Sequence, residues 1–207
     1  MKILILGGTN FLGRHLINTA LERGHEVTIF TRGRAKVEIP KEVEQLTGDR
    51  NGDLEALKGR YWDRVIDTSG YTPWELKASC ELLKDKVKHY TFISSESVYE
   101  ELDKPLVNEE NRVEHIGEED LKAVKEKGTK EAVMEHYGAL KYLSEEEADR
   151  IMERRVLKVR PGLIVGEYDP TDRFTYWVHR IAQGGEILCP GDSKASVQFI
   201  DVKDLAL

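Results

Sequence analysis

Apolar positions along this chain fall into two rhythms, short unbroken runs and stretches with a helical repeat, and the two alternate from the first residues onward. Ile3 to Leu6 is an apolar run with Met1 ahead of Lys2, and it reads as a buried parallel strand. From Phe11 the pattern turns helical through Leu16, Ile17, Ala20 and Leu21, and it ends at Arg23-Gly24 with a glycine suited to a helix cap. Further strands are predicted at 25–31, 43–46, 64–67, 89–94, 156–159 and 198–200, with a short helix at 54–57 and a longer one at 73–83 that has Pro73 in its first turn. Alternating strands and helices predict an α/β doubly wound parallel sheet, with its ligand at the carboxyl ends of the strands.

One stretch breaks the rhythm. Residues 100–131 are dense in Glu, Asp and Lys and poor in apolar side chains. Two readings stay open: a solvated, partly helical insertion, or a mobile flap over a substrate site.

The junction of the first strand and helix carries candidate chemistry. Gly7, Gly8, Thr9, Asn10, Phe11, Leu12 and Gly13 form a glycine turn between a strand and a helix N-terminus. Glycine permits a tight turn and close backbone approach, and the helix start offers unpaired N–H groups and a positive dipole end. Together these fit the pyrophosphate of a dinucleotide. The second strand ends in Thr31-Arg32-Gly33-Arg34, where a preference for NAD usually places an acid for the ribose 2′-hydroxyl. A hydroxyl and two arginines there favour a 2′-phosphate, hence NADP with NAD as the alternative. Asp49, with Arg50 beside it, follows the third strand and is placed to reach the adenine. Thr68, Ser69 and Gly70 follow the fourth, where small residues let the backbone lie near the cofactor.

Tyr137 and Lys141 stand four residues apart on a helical pattern that continues through Leu143, Ala148 and Ile151, so both share one face. A nearby ammonium would favour the phenolate and lower the tyrosine pKa toward the working range. That pair suits proton exchange with an alcohol or ketone. Ile93 to Tyr99 (ISSESVY) supplies a third hydroxyl at the end of the fifth strand.

Composition narrows the setting. The 207 residues suit one domain able to fold alone, and 40% hydrophobic with 33% charged content is ordinary for a globular protein. A net charge of −7 provides no global basic field for nucleic acid or an anionic membrane. No apolar run is long enough to span a bilayer, and the N-terminal run is too short for a signal peptide, so a cytoplasmic setting is expected. Cys80 and Cys189 lie far apart in sequence and read as free thiols, and no metal-ligand cluster is visible.

Taken together these residues resemble the extended short-chain dehydrogenase/reductases, the NAD-dependent epimerase/dehydratase group, over essentially the whole chain. Gly7 to Gly13 is similar to that family's Gly-x-x-Gly-x-x-Gly loop, with Asn10 in place of the middle glycine. Ser-Ser-Glu-Ser-Val-Tyr99 resembles its Ser-Ser-x-x-Val-Tyr segment, which makes Ser95 the catalytic hydroxyl, and Tyr137 with Lys141 matches its Tyr-x-x-x-Lys. Arg160-Pro161-Gly162 resembles the strand end that lies near the nicotinamide. The segment from Arg160 to Gly166, with Asp169 to Trp177, is similar to an isoflavone-reductase-like branch, whose neighbouring branch holds chloroplast stem-loop RNA-binding proteins.

The resemblance implies hydride transfer at a secondary alcohol or ketone of a sugar nucleotide or other small molecule. Tyr137 would exchange the proton, Ser95 would orient the substrate oxygen, and Lys141 would hold the nicotinamide ribose. It also implies possible pairing into a homodimer through the helix carrying Tyr137, and a substrate domain largely absent from the 207 residues. A non-catalytic NAD(P)-sensing protein and an RNA-binding protein are the alternatives, the latter disfavoured by the acidic balance. Two features depart from the family pattern. The Ser95–Tyr137 gap is long, and Glu96-Ser97 replaces the Asp-Glu pair of the sugar-nucleotide dehydratases, which argues against 4,6-dehydration. Asn10 is expected to take the left-handed geometry of the glycine it replaces. Arg173, Arg180 and Lys194 are further cations that could meet an anionic substrate.

Overall fold

The computed structural model describes residues 1–192 and 194–207. Six parallel strands form the main sheet: β1 (Lys2–Leu6), β2 (Glu26–Thr31), β3 (Glu44–Thr47), β4 (Trp62–Asp67), β5 (Val87–Ile93) and β6 (Val156–Val159). Their spatial order is β3-β2-β1-β4-β5-β6, all pairs parallel. The chain therefore leaves β1 toward one edge and returns to build outward toward the other. A second, two-stranded parallel sheet joins β7 (Leu163–Val165) to β8 (Phe199–Asp201).

The period of two along β1 divides the core. Ile3 and Ile5 point to one face, where α1 (Phe11–Glu22) and α7 (Val202–Ala206) bury Leu12, Leu16, Ile17, Val202 and Ala206. Leu4 and Leu6 point to the other face, against Leu76, Cys80 and Leu83 of α2 (Pro73–Leu83) and Ala148, Ile151 and Met152 of α5 (Tyr137–Met152). A strand covered on both faces has to be apolar at every position, hence the unbroken run. Each fully buried Leu or Ile contributes about 1.5–3 kcal/mol relative to exposure.

Local chemistry sets the helix ends. The Glu75 carboxylate accepts from the Thr72 and Tyr71 N–H groups at 3.2 and 3.0 Å, and Pro73 opens α2 where no amide donor is needed. Gly24 follows α1 at φ +70°, its N–H on the Leu21 carbonyl. Asn10 does not take the left-handed form expected of it. Its backbone is extended (φ −124°, ψ 152°), and its Oδ1 accepts from the Phe11 N–H at 3.1 Å as an N-cap. The positive φ angles fall instead on Gly7 (+108°) and Gly8 (+105°) ahead of it and on Phe11 (+21°) after it.

Several predicted boundaries move. The strand expected at 43–46 is Glu44–Thr47, and β4 starts at Trp62 and β5 at Val87, earlier than their most apolar stretches suggest. β7 and α6 (Thr175–Ala182) were not anticipated. The charged segment is largely irregular to residue 117, then forms α3 (Glu118–Lys127) and α4 (Lys130–Glu135). Val124 and Ala132 pack with Leu140 of α5 in a small separate core, joined by Trp74, Ile116, Leu121 and Val133.

Glycine 138, inside α5, lets the helix backbone seat directly against the Ser97 carbonyl. A Cβ there would lie 1.9 Å from the Ser97 carbonyl oxygen. We expect Gly138→Ala to destabilise the chain by about 1–3 kcal/mol in urea unfolding, because a methyl at this backbone contact forces α5 away from the Ser95 turn.

Candidate active site

A cleft of about 500 Å³ opens at the carboxyl ends of β1 to β5. Because β1 lies between β2 and β4, the chain segments leaving β1 and β4 diverge and a crevice stays open between them. All seven residues from Gly7 to Gly13 line it, as do Thr31, Arg32, Asp49, Arg50, Thr68, Ser69, Tyr137 and Lys141. One depression thus joins the glycine turn to the Tyr137–Lys141 pair. Ser95, Gly70, Pro161 and Gly162 lie outside that lining.

Packing governs the glycine turn. A Cβ at Gly13 would sit 2.5 Å from the Gly8 Cα, and one at Gly8 would sit 2.9 Å from Ile29 Cγ2, so the helix start is pressed directly onto the strand end. The first-turn N–H groups of α1 have no intrahelical acceptors and face the cleft side of the loop. At the β2 end the Thr31 hydroxyl accepts from the Gly33 N–H at 3.1 Å, while the exposed Arg32 lies along the cleft. Arg34 is exposed and not part of the lining. Asp49 Oδ1 accepts from the Asn51 N–H at 3.0 Å and shapes the loop after β3.

Three cofactor expectations change in kind. Arg50 borders the cleft, but its guanidinium turns inward onto the Asp67 carboxylate at 2.6 and 2.8 Å. Its charge is thereby committed to the protein. Gly70 is wedged against Leu76 and Phe92, and its carbonyl accepts from the Lys141 ammonium at 2.8 Å. Its smallness serves packing behind the cleft wall. Gly162 is likewise packed against Gln198 and the Glu96 carboxylate.

Lys141 is 3% exposed. Its Nζ donates to the Gly70 carbonyl at 2.8 Å and the Ile93 carbonyl at 2.7 Å, and lies 4.1 Å from the Phe92 ring centre. Burial pulls its pKa down to about 7, against the opposing pull of the Asp67 charge. The Tyr137 pKa moves opposite to expectation. Burial raises it, the neighbouring Tyr71 ring at 6.5 Å adds to the rise, and the Ser95 hydroxyl and the Arg173 charge act against it. Lys141 does not act on it here, because the ammonium is turned onto the Gly70 and Ile93 carbonyls. The phenol is therefore protonated at neutral pH.

Ser95 Oγ accepts from the Ser97 N–H at 3.1 Å and donates to Ser97 Oγ at 3.0 Å, capping the turn over Glu96–Val98. Its neighbour Ser94 was passed over in the sequence. That hydroxyl is buried in the cleft lining and has no hydrogen-bond partner. The doublet was the only signal for it, and the doublet does not say which serine faces inward. Tyr71, Asn51, Glu75 and Ile164 also line the cleft, together with Asp169, Pro170, Thr171 and Arg173 from the loop after β7. Of the three further cations, Arg173 reaches the cleft, whereas Arg180 donates to the Gly184 and Glu186 carbonyls at 2.8 and 2.7 Å. No residue of 100–131 contributes to the lining, so the insertion does not cover the cleft.

Strand order, glycine turn and a crevice at the point where that order reverses define a Rossmann fold. The chain belongs to the NAD-dependent epimerase/dehydratase family, whose model matches residues 3–207. It is 28% identical to the chloroplast stem-loop binding protein of 41 kDa b of Arabidopsis thaliana, over 99% of this chain and 53% of that one. A shorter match, 39% identity over 30% of this chain and 20% of the relative, is to the bifunctional pinoresinol-lariciresinol reductase of Forsythia intermedia. The chain thus spans about half the length of the first of these relatives. MoeE5 in complex with UDP-glucose and NAD superposes with a TM-score of 0.72 at 19% identity, covering 100% of this chain and 69% of that one. The UDP-glucuronic acid 4-epimerase of Bacillus cereus, in complex with UDP-glucuronic acid and NAD, gives 0.73 at 16%, covering 100% and 71%. These solved structures share the fold. Among the described residues, no helix is long and apolar enough to cross a membrane.

The lysine has a measurable signature. Its folded pKa of about 7 lies below the ordinary value of roughly 10.4 in the unfolded chain. Between those values the unfolded state holds a proton that the folded state lacks, so stability rises with pH across that window. We expect a slope of up to about 1.4 kcal/mol per pH unit from this group, seen in urea unfolding and lost in Lys141→Met.

Proposed function

We propose that this chain binds NAD(P) in the cleft and transfers hydride at a secondary alcohol or ketone, with Tyr137, Ser95 and Lys141 performing the proton chemistry. The observation that carries this reading is the single cleft that joins Gly7–Gly13 to Tyr137 and Lys141. The residues present fit a dinucleotide. Closely packed glycines bring a helix N-terminus to the pocket, and a buried Ser94 hydroxyl without a protein partner faces it. Gly7 to Gly13 would hold the pyrophosphate, Thr31 and Arg32 the adenosine ribose, Asp49 the adenine, Thr68 and Ser69 the adjoining backbone side, and Lys141 the second ribose. Gly70, Pro161 and Gly162 would support that surface from behind. Arg50 would border the adenosine end without offering its charge. The nicotinamide, when bound, supplies or accepts the hydride at the substrate carbon.

The chain's own part is orientation and proton movement. Tyr137 Oη, held protonated by burial, donates to the oxygen of a ketone as hydride reaches the carbon. Ser95 Oγ, its hydroxyl turned from Ser97 Oγ to the substrate, would hydrogen-bond that oxygen. Charge left on the tyrosine is offset by Arg173, which lines the same cleft. In the oxidative direction the phenolate accepts the alcohol proton. Most of the rate gain rests on holding the donor and acceptor carbons in contact. The substrate is a small molecule, with a sugar nucleotide as the leading class, in keeping with the UDP-sugars in the solved complexes. The net charge of −7 works against the stem-loop binding named for the Arabidopsis relative.

Cofactor choice rests on Arg32 and the missing acid at the end of β2. Separate calorimetric titrations are expected to give NADP about tenfold tighter than NAD, with Arg32→Ala abolishing the difference. Equal or tighter NAD binding would sink the Arg32 argument, and no binding of either would sink the cofactor reading. Tyr137→Phe is expected to lower turnover of a secondary alcohol by about 10²-fold or more with cofactor affinity unchanged.

A further inference from the structure

Beneath the cleft floor lies a polar cluster that the proposed chemistry does not use. Asp67, the last residue of β4, is 0% exposed, and its partner Arg50 is 9% exposed. Both carboxylate oxygens are engaged by the guanidinium, at 2.6 and 2.8 Å. Tyr90 Oη donates to Oδ2 at 2.6 Å, and the Ser69 N–H donates to Oδ1 at 3.0 Å. Arg50 also donates through Nε to the Ser79 hydroxyl at 3.2 Å and through Nη2 to the Glu75 carbonyl at 3.4 Å. A buried pair of this kind is a weak source of net stability, since desolvation consumes most of the attraction.

Its location gives it another role. Gly70 packs directly on the carboxylate: a Cβ there would lie 3.2 Å from Asp67 Oδ2 and 2.3 Å from Leu76 Cδ2. The same residue's carbonyl takes the Lys141 ammonium. We propose that Asp67, ion-paired to Arg50, is a positioning residue for Lys141: it fixes the Gly70 carbonyl that holds the ammonium and, with Arg50, sets the charge balance around it. This rests on the reading of Lys141 as a cofactor contact. Asp67 at the end of β4 favours the ammonium, and Arg50 from the loop after β3 opposes it. Glu75 of α2 and Glu145 of α5 favour it from farther off, and the Tyr71 and Phe92 rings complete the enclosure. Because Arg50 also borders the adenosine end of the cleft, one buried pair ties both ends of the site together.

The test compares the pH dependence of unfolding free energy for the wild type, Asp67→Asn and Arg50→Met, each with and without Lys141→Met. The difference within each pair isolates the lysine and needs no cofactor. Asp67→Asn removes an anion, so the Lys141 midpoint is expected to fall by about half a unit or more; Arg50→Met removes a cation, so it is expected to rise by a similar amount. A merely structural role would change stability without moving the midpoint in opposite directions. Shifts of the same sign, or none, would overturn the proposal. If one of the two single variants does not fold, the other decides alone: a Lys141 midpoint that moves in the direction given supports the proposal, and one that stays or moves the other way overturns it. NADPH fluorescence titrations over the same pH range separate the two readings. Wild-type affinity that does not fall as the lysine deprotonates would overturn its role as a cofactor contact, while the unfolding series still decides the role of Asp67.

Discussion

Everything in this site depends on the chain building its sheet outward from β1 in two directions. A strand–helix–strand crossover is right-handed, so reversing the direction of growth sends the covering helices to opposite faces. At the β1 and β4 ends the backbone meets the cleft. The unbroken apolar run of β1, the positive φ angles at Gly7 and Gly8 and the tight seat of Gly13 all serve that arrangement. They press a helix start against the exposed end of a strand buried on both faces.

The second organising fact is the unequal treatment of the two titratable groups at the reaction end. Burial acts on both, raising the phenol and lowering the ammonium, so each is driven toward its neutral form. A neutral tyrosine beside a lysine poised near pH 7 is a pair whose charge the remaining occupants of the cleft can shift in either direction. The expectation that Lys141 lowers Tyr137 treated the pair as isolated on a helix face. In the folded chain the Gly70 and Ile93 carbonyls compete for the ammonium and win.

What the sequence made legible follows from how local each signal is. The β1–turn–α1 unit, α2 and β6 were readable because apolar pattern, glycine or proline and helix ends sit within a few residues of one another. β7 and α6 escaped because their signals are not local. β7 has three residues and pairs only with β8, some thirty-five positions on, and α6 buries none of its side chains, so its periodicity marked no core. Arg50 shows the same limit for function. Arg50, placed beside Asp49 as a cofactor neighbour, is claimed instead by Asp67, seventeen residues away. Ser94 and Ser95 could not be told apart in sequence, since which of two adjacent serines faces a cleft depends on where the strand ends.

The contact between Gly138 and the Ser97 carbonyl has a consequence for the long charged insertion. Ser95 and Tyr137 are brought together by the docking of α5 on the Glu96–Val98 turn, not by the chain that runs between them. The intervening segment folds back on Trp74 and Leu140 with a small core of its own, and the closure entropy of such a loop grows only with the logarithm of its length. Within it the largely exposed stretch 102–111 is the point at which spliced-in sequence would lengthen a loop and leave the α5 contact in place.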